Sequence, residues 1–127
     1  FMKELRQKGV KMAIVTSSND KKMSNVYAAH PELKELVDRI LTAEMFTRSK
    51  PAPDCFLLGA EVFDTIPANC VVFEDSFHGL EAGRLADMKV VGLSTTNPAD
   101  LIKDKCDLVI SDFASFHYSD MLSLLNE

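Results

Sequence analysis

Short apolar runs alternate along the chain with segments of helical spacing. Four of these runs are apolar or nearly so: Val10–Val15, Cys70–Phe73, Lys89–Leu93 and Leu108–Ile110. Continuous apolar strands, unlike strands in which polar and apolar residues alternate, are typical of a parallel sheet that is covered on both faces. The pattern therefore predicts an α/β fold built on a doubly wound parallel sheet.

Helices are predicted between the apolar runs. The segments with helical spacing are Met2–Lys8, Asp20 to about Val37 with a break near His30 and Pro31, Pro53–Phe63, Gly79–Ala86 and Tyr118–Leu125. Gly9 ends the first helix, because glycine adopts the left-handed backbone conformation at little cost. Pro53 suits the first position of a helix. Arg39–Thr42 is predicted to be a further short strand.

The size and charge of the chain limit the classes of function. With 127 residues it can form one modest domain. Its 14 Lys and Arg residues are outnumbered by 19 Asp and Glu residues, which gives a formal net charge of −5. An acidic surface repels a phosphate backbone, so no nucleic-acid partner is expected. No apolar run approaches the roughly 20 residues that span a bilayer, so no membrane partner is expected either.

The cysteines indicate a reducing compartment. Cys55, Cys70 and Cys106 are odd in number and lack C-x-x-C spacing, so they do not form a disulfide framework. Two of the three lie in apolar runs, where a free cysteine behaves as a small apolar residue. We therefore expect free thiols and a cytoplasmic location.

Two adjacent carboxylates, Glu74 and Asp75, follow the apolar run Cys70–Phe73. Like charges at the tip of a buried strand repel each other unless a cation or several hydrogen-bond donors neutralise them. Mg²⁺ prefers oxygen ligands and is commonly held by one or two carboxylates together with a substrate phosphate. The alternative is structural, because Asp75 or Ser76 could simply cap the helix that follows. The sequence leaves both interpretations open.

A hydroxyl cluster and a lysine complete the candidate chemistry. Thr16–Asn19 follows the run Val10–Val15, and backbone N–H groups at the start of a helix can bind an anion there, although the same residue types are ordinary helix caps. Lys50 precedes Pro51, which restricts the backbone beside this flexible cation. A hydroxyl, an ammonium group and two carboxylates are what phosphoryl transfer with a divalent ion requires.

Three segments resemble the second, third and fourth motifs of the haloacid dehalogenase (HAD) superfamily. They are Val15-Thr16-Ser17, the string K-P-A-P-D at 50–54, and the string V-F-E-D-S at 72–76 with Gly79 and Ala82-Gly83. The last two are most similar to the branch of β-phosphoglucomutase and phosphoglycolate phosphatase. The three motifs occur in the family's order and cover essentially the whole chain.

The resemblance implies a role for each matching residue. Thr16 would bind a phosphoryl oxygen, and Lys50 would bridge the nucleophile and the phosphate. Glu74 and Asp75 would hold Mg²⁺. The phosphate-binding residues implied in this way are Thr16, Ser17, Asn19 and Lys50.

The sequence departs from the family pattern in two places. Asp87 stands where a glycine commonly follows the alanine of an A-G pair, and an aspartate tolerates the left-handed conformation better than most residues. The first motif, D-x-D-x-[TSV], is absent, and in the family it supplies the aspartyl nucleophile and the acid/base aspartate. We therefore expect residues 1–127 to be the C-terminal portion of a HAD-like core domain, with the first strand and the cap domain upstream.

The missing strand has a structural consequence. In the family's sheet the first strand lies between those that correspond here to Lys11–Val15 and Cys70–Phe73, so two strand edges would be open without it. We expect the chain to require the upstream segment of the same polypeptide, and to aggregate or be molten when expressed alone.

The function implied for the complete protein is that of a Mg²⁺-dependent phosphatase. It would hydrolyse a small phosphate monoester, such as a sugar phosphate, through an aspartyl-phosphate intermediate, and its partner would be a small phosphorylated metabolite. A β-phosphoglucomutase-like phosphomutase would use the same residues. A receiver-type signalling module fits less well, because it places the acidic cluster before the hydroxyl and the lysine. The remaining alternative is a catalytically inactive fragment that serves as a binding module.

Overall fold

The computed structural model describes residues 1–127. The helices are α1 (Met2–Gln7), α2 (Asp20–Ala29), α3 (Leu33–Leu36), α4 (Asp54–Val62), α5 (Phe77–Leu85), α6 (Ala99–Ile102) and α7 (Tyr118–Leu125). The strands are β1 (Ala13–Val15), β2 (Arg39–Leu41), β3 (Val71–Glu74), β4 (Lys89–Leu93) and β5 (Leu108–Ile110). Strands and helices alternate along most of the chain, as the hydrophobic pattern predicts.

All five strands pair in parallel, but they form two separate sheets. One contains β1 and β2, and the other has the order β3-β4-β5. In the larger sheet Val72 pairs with Val90, and Val91 pairs with Leu108. In the smaller one Ile14 pairs with Ile40. The parallel α/β architecture is therefore confirmed, with a break between β1 and β3.

A cleft separates the facing edges of β1 and β3. It has a volume of about 780 Å³ and is lined mainly by apolar side chains. We call it the slot; its lining includes Ile14, Val15, Val71, Phe73, Phe1 and Phe56. The slot lies at the place where the resemblance puts an additional strand.

Helices cover both faces of the larger sheet. Val90 and Val91 are both fully buried, and because successive strand residues point to opposite faces, they belong to different apolar clusters. The Val90 cluster includes Phe56, Leu80 and Ile102 of α4, α5 and α6. The Val91 cluster includes Leu5, Met121 and Leu124 of α1 and α7. This double covering is what a sheet of continuous apolar strands requires.

Most differences from the predicted elements are at their ends. The first strand begins at Ala13 instead of Val10, because the Val10 N–H donates to the Leu5 carbonyl and extends the turn after α1. Pro53 stands one residue before α4 as its N-cap. The predicted break at His30 is confirmed, since α2 ends at Ala29.

Two predicted left-handed positions are also confirmed. Gly9, after α1, has a φ of +76°, and Asp87, after α5, has a φ of +61°. The three cysteines are free, and Cys55 and Cys106 are buried as small apolar residues. Burial raises the pKa of all three thiols. None of the helices has the length and hydropathy needed to cross a bilayer.

Candidate functional site

Lys50 lies where the carboxyl ends of β1 and β3 approach each other. Its Nζ donates to Glu74 Oε2 at 2.8 Å and to the Val15 carbonyl at 3.4 Å. The ammonium group also lies 5.1 Å from the centroid of the Phe56 ring. The lysine and glutamate side chains are each only 13% exposed, so the ion pair is shielded from water. Lys50 therefore joins the two sheets across the end of the slot.

The carboxylate of Glu74 is held on both oxygens. Oε2 accepts from Lys50, and Oε1 accepts from the Asp75 N–H at 3.2 Å and from the Ser76 hydroxyl at 3.3 Å. The side chain lies over the first turn of α5, at Gly79. A Cβ at Gly79 would overlap the Glu74 side chain, so this glycine provides the space in which the carboxylate lies.

Asp75 is held from the loop that follows β4. The Thr96 hydroxyl donates to Asp75 Oδ2 at 2.7 Å, and Asn97 Nδ2 donates to the Asp75 carbonyl at 3.3 Å. The hydrogen bond from Thr96 is the main cause that lowers the pKa of Asp75, and the positive charge of Lys50 acts in the same direction. The neighbouring Glu74 side chain also lowers the pKa of Asp75, which is therefore ionised at neutral pH, and no N–H or O–H donor is bonded to its Oδ1.

The hydroxyl cluster lies at the end of β1, beside Lys50. The Thr16 N–H donates to the Leu41 carbonyl at 3.0 Å, and Thr16 Oγ1 accepts from the Ser18 N–H at 3.1 Å. Asn19 Oδ1 accepts from the Lys22 N–H at 2.8 Å and so caps α2, which is the structural role that the sequence also allowed. Ser17 is exposed. Thr16 thus adjoins Val15, whose carbonyl Lys50 contacts.

The helix-capping alternative is also realised after β3. The Ser76 hydroxyl accepts from the Gly79 N–H at 3.0 Å and caps α5, whereas the Asp75 side chain forms its hydrogen bond with Thr96. The structure therefore gives the capping role to Ser76 and leaves the Asp75 carboxylate beside the site. Lys50, Glu74 and Asp75 are brought together, and Thr16 directly follows β1 in the other sheet.

Residues 1–87 match the family of haloacid dehalogenase-like hydrolases. That match spans well over half of the chain and includes Thr16, Lys50, Glu74 and Asp75, whereas Thr96 and Asn97 lie beyond it. The chain belongs to this family. The resemblance seen in the three sequence motifs is thereby confirmed.

Two curated relatives have different activities. This HAD-like chain is 39% identical over 80 residues to the fructose-1-phosphate phosphatase YqaB of Escherichia coli, a match that covers 63% of the chain and 42% of the relative. It is 31% identical over 120 residues to a β-phosphoglucomutase of Mycobacterium tuberculosis, covering 90% of the chain and 46% of that relative. The chain thus spans less than half the length of either relative.

The fold has a close counterpart among solved structures. A HAD hydrolase of family IA, variant 3, from Entamoeba histolytica superposes with a TM-score of 0.92 over 99% of this chain and 58% of that protein. The two sequences are 22% identical, so this likeness concerns the HAD fold alone.

The donor set of this HAD-like chain fits a magnesium ion. Both candidate ligands are carboxylates, and the free Asp75 Oδ1 lies at the open edge of the sheet. No group of three or more acidic, histidine or cysteine side chains clusters here, but Mg²⁺ characteristically completes its shell with water and substrate oxygens. Of the two carboxylates, Glu74 is less available to a metal ion, because it also forms an ion pair with Lys50.

Three features of the site have no signal in the local sequence. Thr96 and Asn97 reach Asp75 from more than 20 positions away along the chain, and nothing in their local sequence indicates that contact. Gly79 was part of the motif, but its role beneath Glu74 depends on a side chain five positions earlier. Arg48 forms a two-pronged pair with Asp54 at 2.9 and 3.1 Å, which fixes the start of α4 next to the Lys50 loop.

Proposed function

We propose that the complete protein is a Mg²⁺-dependent phosphatase that hydrolyses a small phosphate monoester, such as a sugar phosphate. The observation that carries the proposal is the position of Lys50, whose ammonium group lies between the end of β1 and Glu74, beside Asp75. A cation fixed at that point can neutralise charge on a transferring phosphoryl group. Membership of a hydrolase family and the phosphatase among the relatives support the same reaction class.

Each site residue has a role in this proposal. Lys50 binds a phosphoryl oxygen and an attacking carboxylate, and Thr16 donates its hydroxyl to a second phosphoryl oxygen. Ser17 is exposed beside Thr16 and would contact the phosphate from there, whereas the Asn19 side chain and the Glu44 carboxylate already accept from the Lys22 and Asp20 N–H groups at the start of α2. Asp75 and Glu74 would hold Mg²⁺, which supplies charge neutralisation at the phosphate when it is bound.

The reaction needs a nucleophile in addition to these residues. In the proposed hydrolysis, an aspartate carboxylate attacks phosphorus and the P–O ester bond breaks, while a second, protonated aspartate of the same upstream motif gives its proton to the leaving alcohol and later takes one from the attacking water. Water then cleaves the aspartyl phosphate and releases inorganic phosphate. We propose that this aspartate belongs to a strand upstream of residue 1 that fills the slot and ends beside Lys50, with a cap domain upstream as well.

Phosphomutase activity is the second candidate, because one relative is a β-phosphoglucomutase. The two activities differ in whether water or a second sugar hydroxyl receives the phosphoryl group. Release of inorganic phosphate from a panel of sugar phosphates would support hydrolysis. Isomerisation of a sugar phosphate without phosphate release would support the mutase.

The decisive experiment measures Mg²⁺-dependent phosphate release by the complete protein and two site variants. Asp75→Asn should abolish the Mg²⁺-dependent reaction, and Lys50→Ala should lower kcat by about 100-fold or more. Asp100→Asn and Lys103→Ala, exposed changes of the same chemistry on α6 and just after it, should leave turnover unchanged. Near-normal activity in both site variants would overturn the site assignment.

The proposed strand in the slot is tested separately, by co-expressing two pieces of the complete protein. If an upstream strand fills it, residues 1–127 co-expressed with a tagged upstream segment should co-purify with that segment. Val15→Asp, which places a charge on the apolar lining, should reduce the co-purification. Separate elution of the two pieces would contradict a strand in the slot.

We also propose that the complete protein is cytoplasmic and that its partner is a small phosphorylated metabolite.

A further inference from the structure

The loop between β4 and α6 makes two hydrogen bonds to one residue of the site. Thr96 Oγ1 donates to Asp75 Oδ2 at 2.7 Å, and the side chain of the next residue, Asn97, donates to the Asp75 main-chain carbonyl at 3.3 Å. These bonds hold both the side chain and the backbone of Asp75. Pro98 follows at once with a φ of −58°, and a proline restricts the residue before it to extended conformations.

The two bonds have different consequences for the carboxylate. A carboxylate held at one oxygen cannot turn freely about its side-chain bonds, so the other oxygen keeps a fixed direction. The Thr96 hydroxyl has one proton, which it gives to Oδ2, and no N–H or O–H donor of the protein is bonded to Oδ1. Asn97 fixes the backbone from which that side chain projects.

We propose that Thr96 and Asn97 are positioning residues that hold Asp75 with its Oδ1 oriented for a divalent cation. The inference rests on the proposed function, because Asp75 is the candidate magnesium ligand. Hydrogen-bond donors behind a ligating carboxylate fix its orientation, and their loss commonly weakens metal binding by about 10- to 100-fold.

The same contacts could serve only to anchor the loop. Thr96 is exposed, so loss of its hydroxyl leaves no cavity in the core. Loop anchoring alone would lower the melting temperature without changing the affinity for a cation. Positioning predicts a weaker affinity in a protein that remains folded, and this difference separates the two roles.

The experiment compares three variants of the complete protein at neighbouring positions. Thr96→Val removes the hydroxyl and keeps the shape of the side chain, whereas Thr96→Ser keeps the hydroxyl. Thr95→Val is the control, because it makes the same change at the adjacent residue, which has no hydrogen bond to Asp75. Mn²⁺ is the probe, and electron paramagnetic resonance measures the free ion without turnover. The Mg²⁺ concentration for half-maximal activity is measured alongside.

Thr96→Val should weaken Mn²⁺ binding by about 10-fold or more and raise the Mg²⁺ requirement similarly. Thr96→Ser should restore most of the affinity, and Thr95→Val should bind like the unmodified protein. Asn97→Ala, which leaves the hydroxyl in place, should give a smaller loss.

Unchanged Mn²⁺ affinity in Thr96→Val would overturn the inference, as would Thr96→Ser behaving like Thr96→Val. Asp75→Asn separates this failure from that of the proposed function. If Asp75→Asn abolishes Mn²⁺ binding while Thr96→Val does not weaken it, only the positioning role is wrong. If Asp75→Asn also binds Mn²⁺ normally, the metal site itself is wrong.

Discussion

At the scale of single residues, the site depends on a charge pair that is shielded from water. Lys50 and Glu74 are each 13% exposed, and removal of either leaves the other with an uncompensated charge. Such a pair differs from the exposed ion pair of Lys11 and Asp38, at 4.0 Å, which contributes little to stability. Changes at Lys50 and Glu74 are therefore expected to have non-additive effects on the free energy of unfolding.

A double-mutant cycle checks this coupling in the complete protein. Lys50→Met should lower the free energy of unfolding by about 2 kcal/mol, because the Glu74 carboxylate loses its strongest partner. Lys50→Met combined with Glu74→Gln should cost about 1 kcal/mol less than the sum of the single changes. Urea titrations without metal give the values. Strict additivity of the two changes would contradict the coupling.

Gly79 and Gly59 provide a matched pair of helical glycines. A Cβ at Gly79 would overlap Glu74, whereas a Cβ at Gly59 would meet only Leu41 Cδ1, at 4.0 Å. Alanine is the better helix former by about 1 kcal/mol, and within residues 1–127 it has room at Gly59, so Gly59→Ala should leave the contact between Lys50 and Glu74 unchanged. Gly79→Ala should displace Glu74 from Lys50 and lower activity. Thermal unfolding and turnover of both variants are the measurements, and equal behaviour would contradict this role of Gly79.

The sequence predicts some residues of this site and not others. Lys50, Glu74 and Asp75 lie at strand ends or beside a proline, and parallel strands bring such positions to one edge of the sheet. Thr96 has no comparable local pattern, because a threonine in a polar loop looks the same whether or not it binds a distant carboxylate. Its contact depends on how the β4–α6 loop folds back over β3.

At the scale of elements, α2 is capped from two directions. Asn19 accepts from the Lys22 N–H, and both oxygens of Glu44 lie 3.2 Å from the Asp20 N–H. The buried Thr42 hydroxyl contacts the carboxylates of Asp20 and Glu44 at 2.8 and 3.0 Å. A glutamate outside the helix thus supplies a cap that the sequence of α2 does not contain.

This second cap makes the stability of α2 depend on pH. The hydrogen bond from the Asp20 N–H lowers the pKa of Glu44 in the folded protein. Its stabilising contribution is therefore complete above the unfolded pKa of about 4.3 and is lost as the pH falls through the lower folded value. Glu44→Gln should lower the melting temperature at pH 7 and have a smaller effect near pH 3.

Calorimetry of both proteins at the two pH values measures the difference. Glu81→Gln, an exposed change on α5, is the control and should have little effect at either pH. A deficit in Glu44→Gln that is as large at pH 3 as at pH 7 would argue against the charged cap.

Element boundaries show where local pattern stops being informative. The runs Lys89–Leu93 and Leu108–Ile110 match β4 and β5 residue for residue, since both lie within the paired part of the larger sheet. β1 is shorter than its apolar run because Met12 takes part in other contacts, with its N–H bonded to the Asp38 carboxylate at 2.8 Å. Where a side chain takes the place of a backbone hydrogen-bond partner in the sheet, the hydrophobic pattern does not show it.

At the scale of the whole molecule, the slot leaves apolar side chains and two strand edges open. Open edges pair readily with other chains, and large exposed apolar surfaces promote association. Residues 1–127 expressed alone should therefore aggregate or unfold without a cooperative transition. Size-exclusion chromatography and thermal unfolding are the measurements, with the complete protein as control. A monomer with a sharp transition would contradict this expectation.

The aromatic side of the slot has a practical use. Phe1 stacks on Phe113 with ring centroids 5.4 Å apart, and Phe113 is 39% exposed and 5.6 Å from Phe73. These 127 residues contain no tryptophan and two tyrosines, so they emit weakly at long wavelengths. An indole introduced by Phe113→Trp would be the dominant fluorophore of this piece. A blue shift of its emission would then report, in real time, when another polypeptide segment excludes water from the aromatic side of the slot.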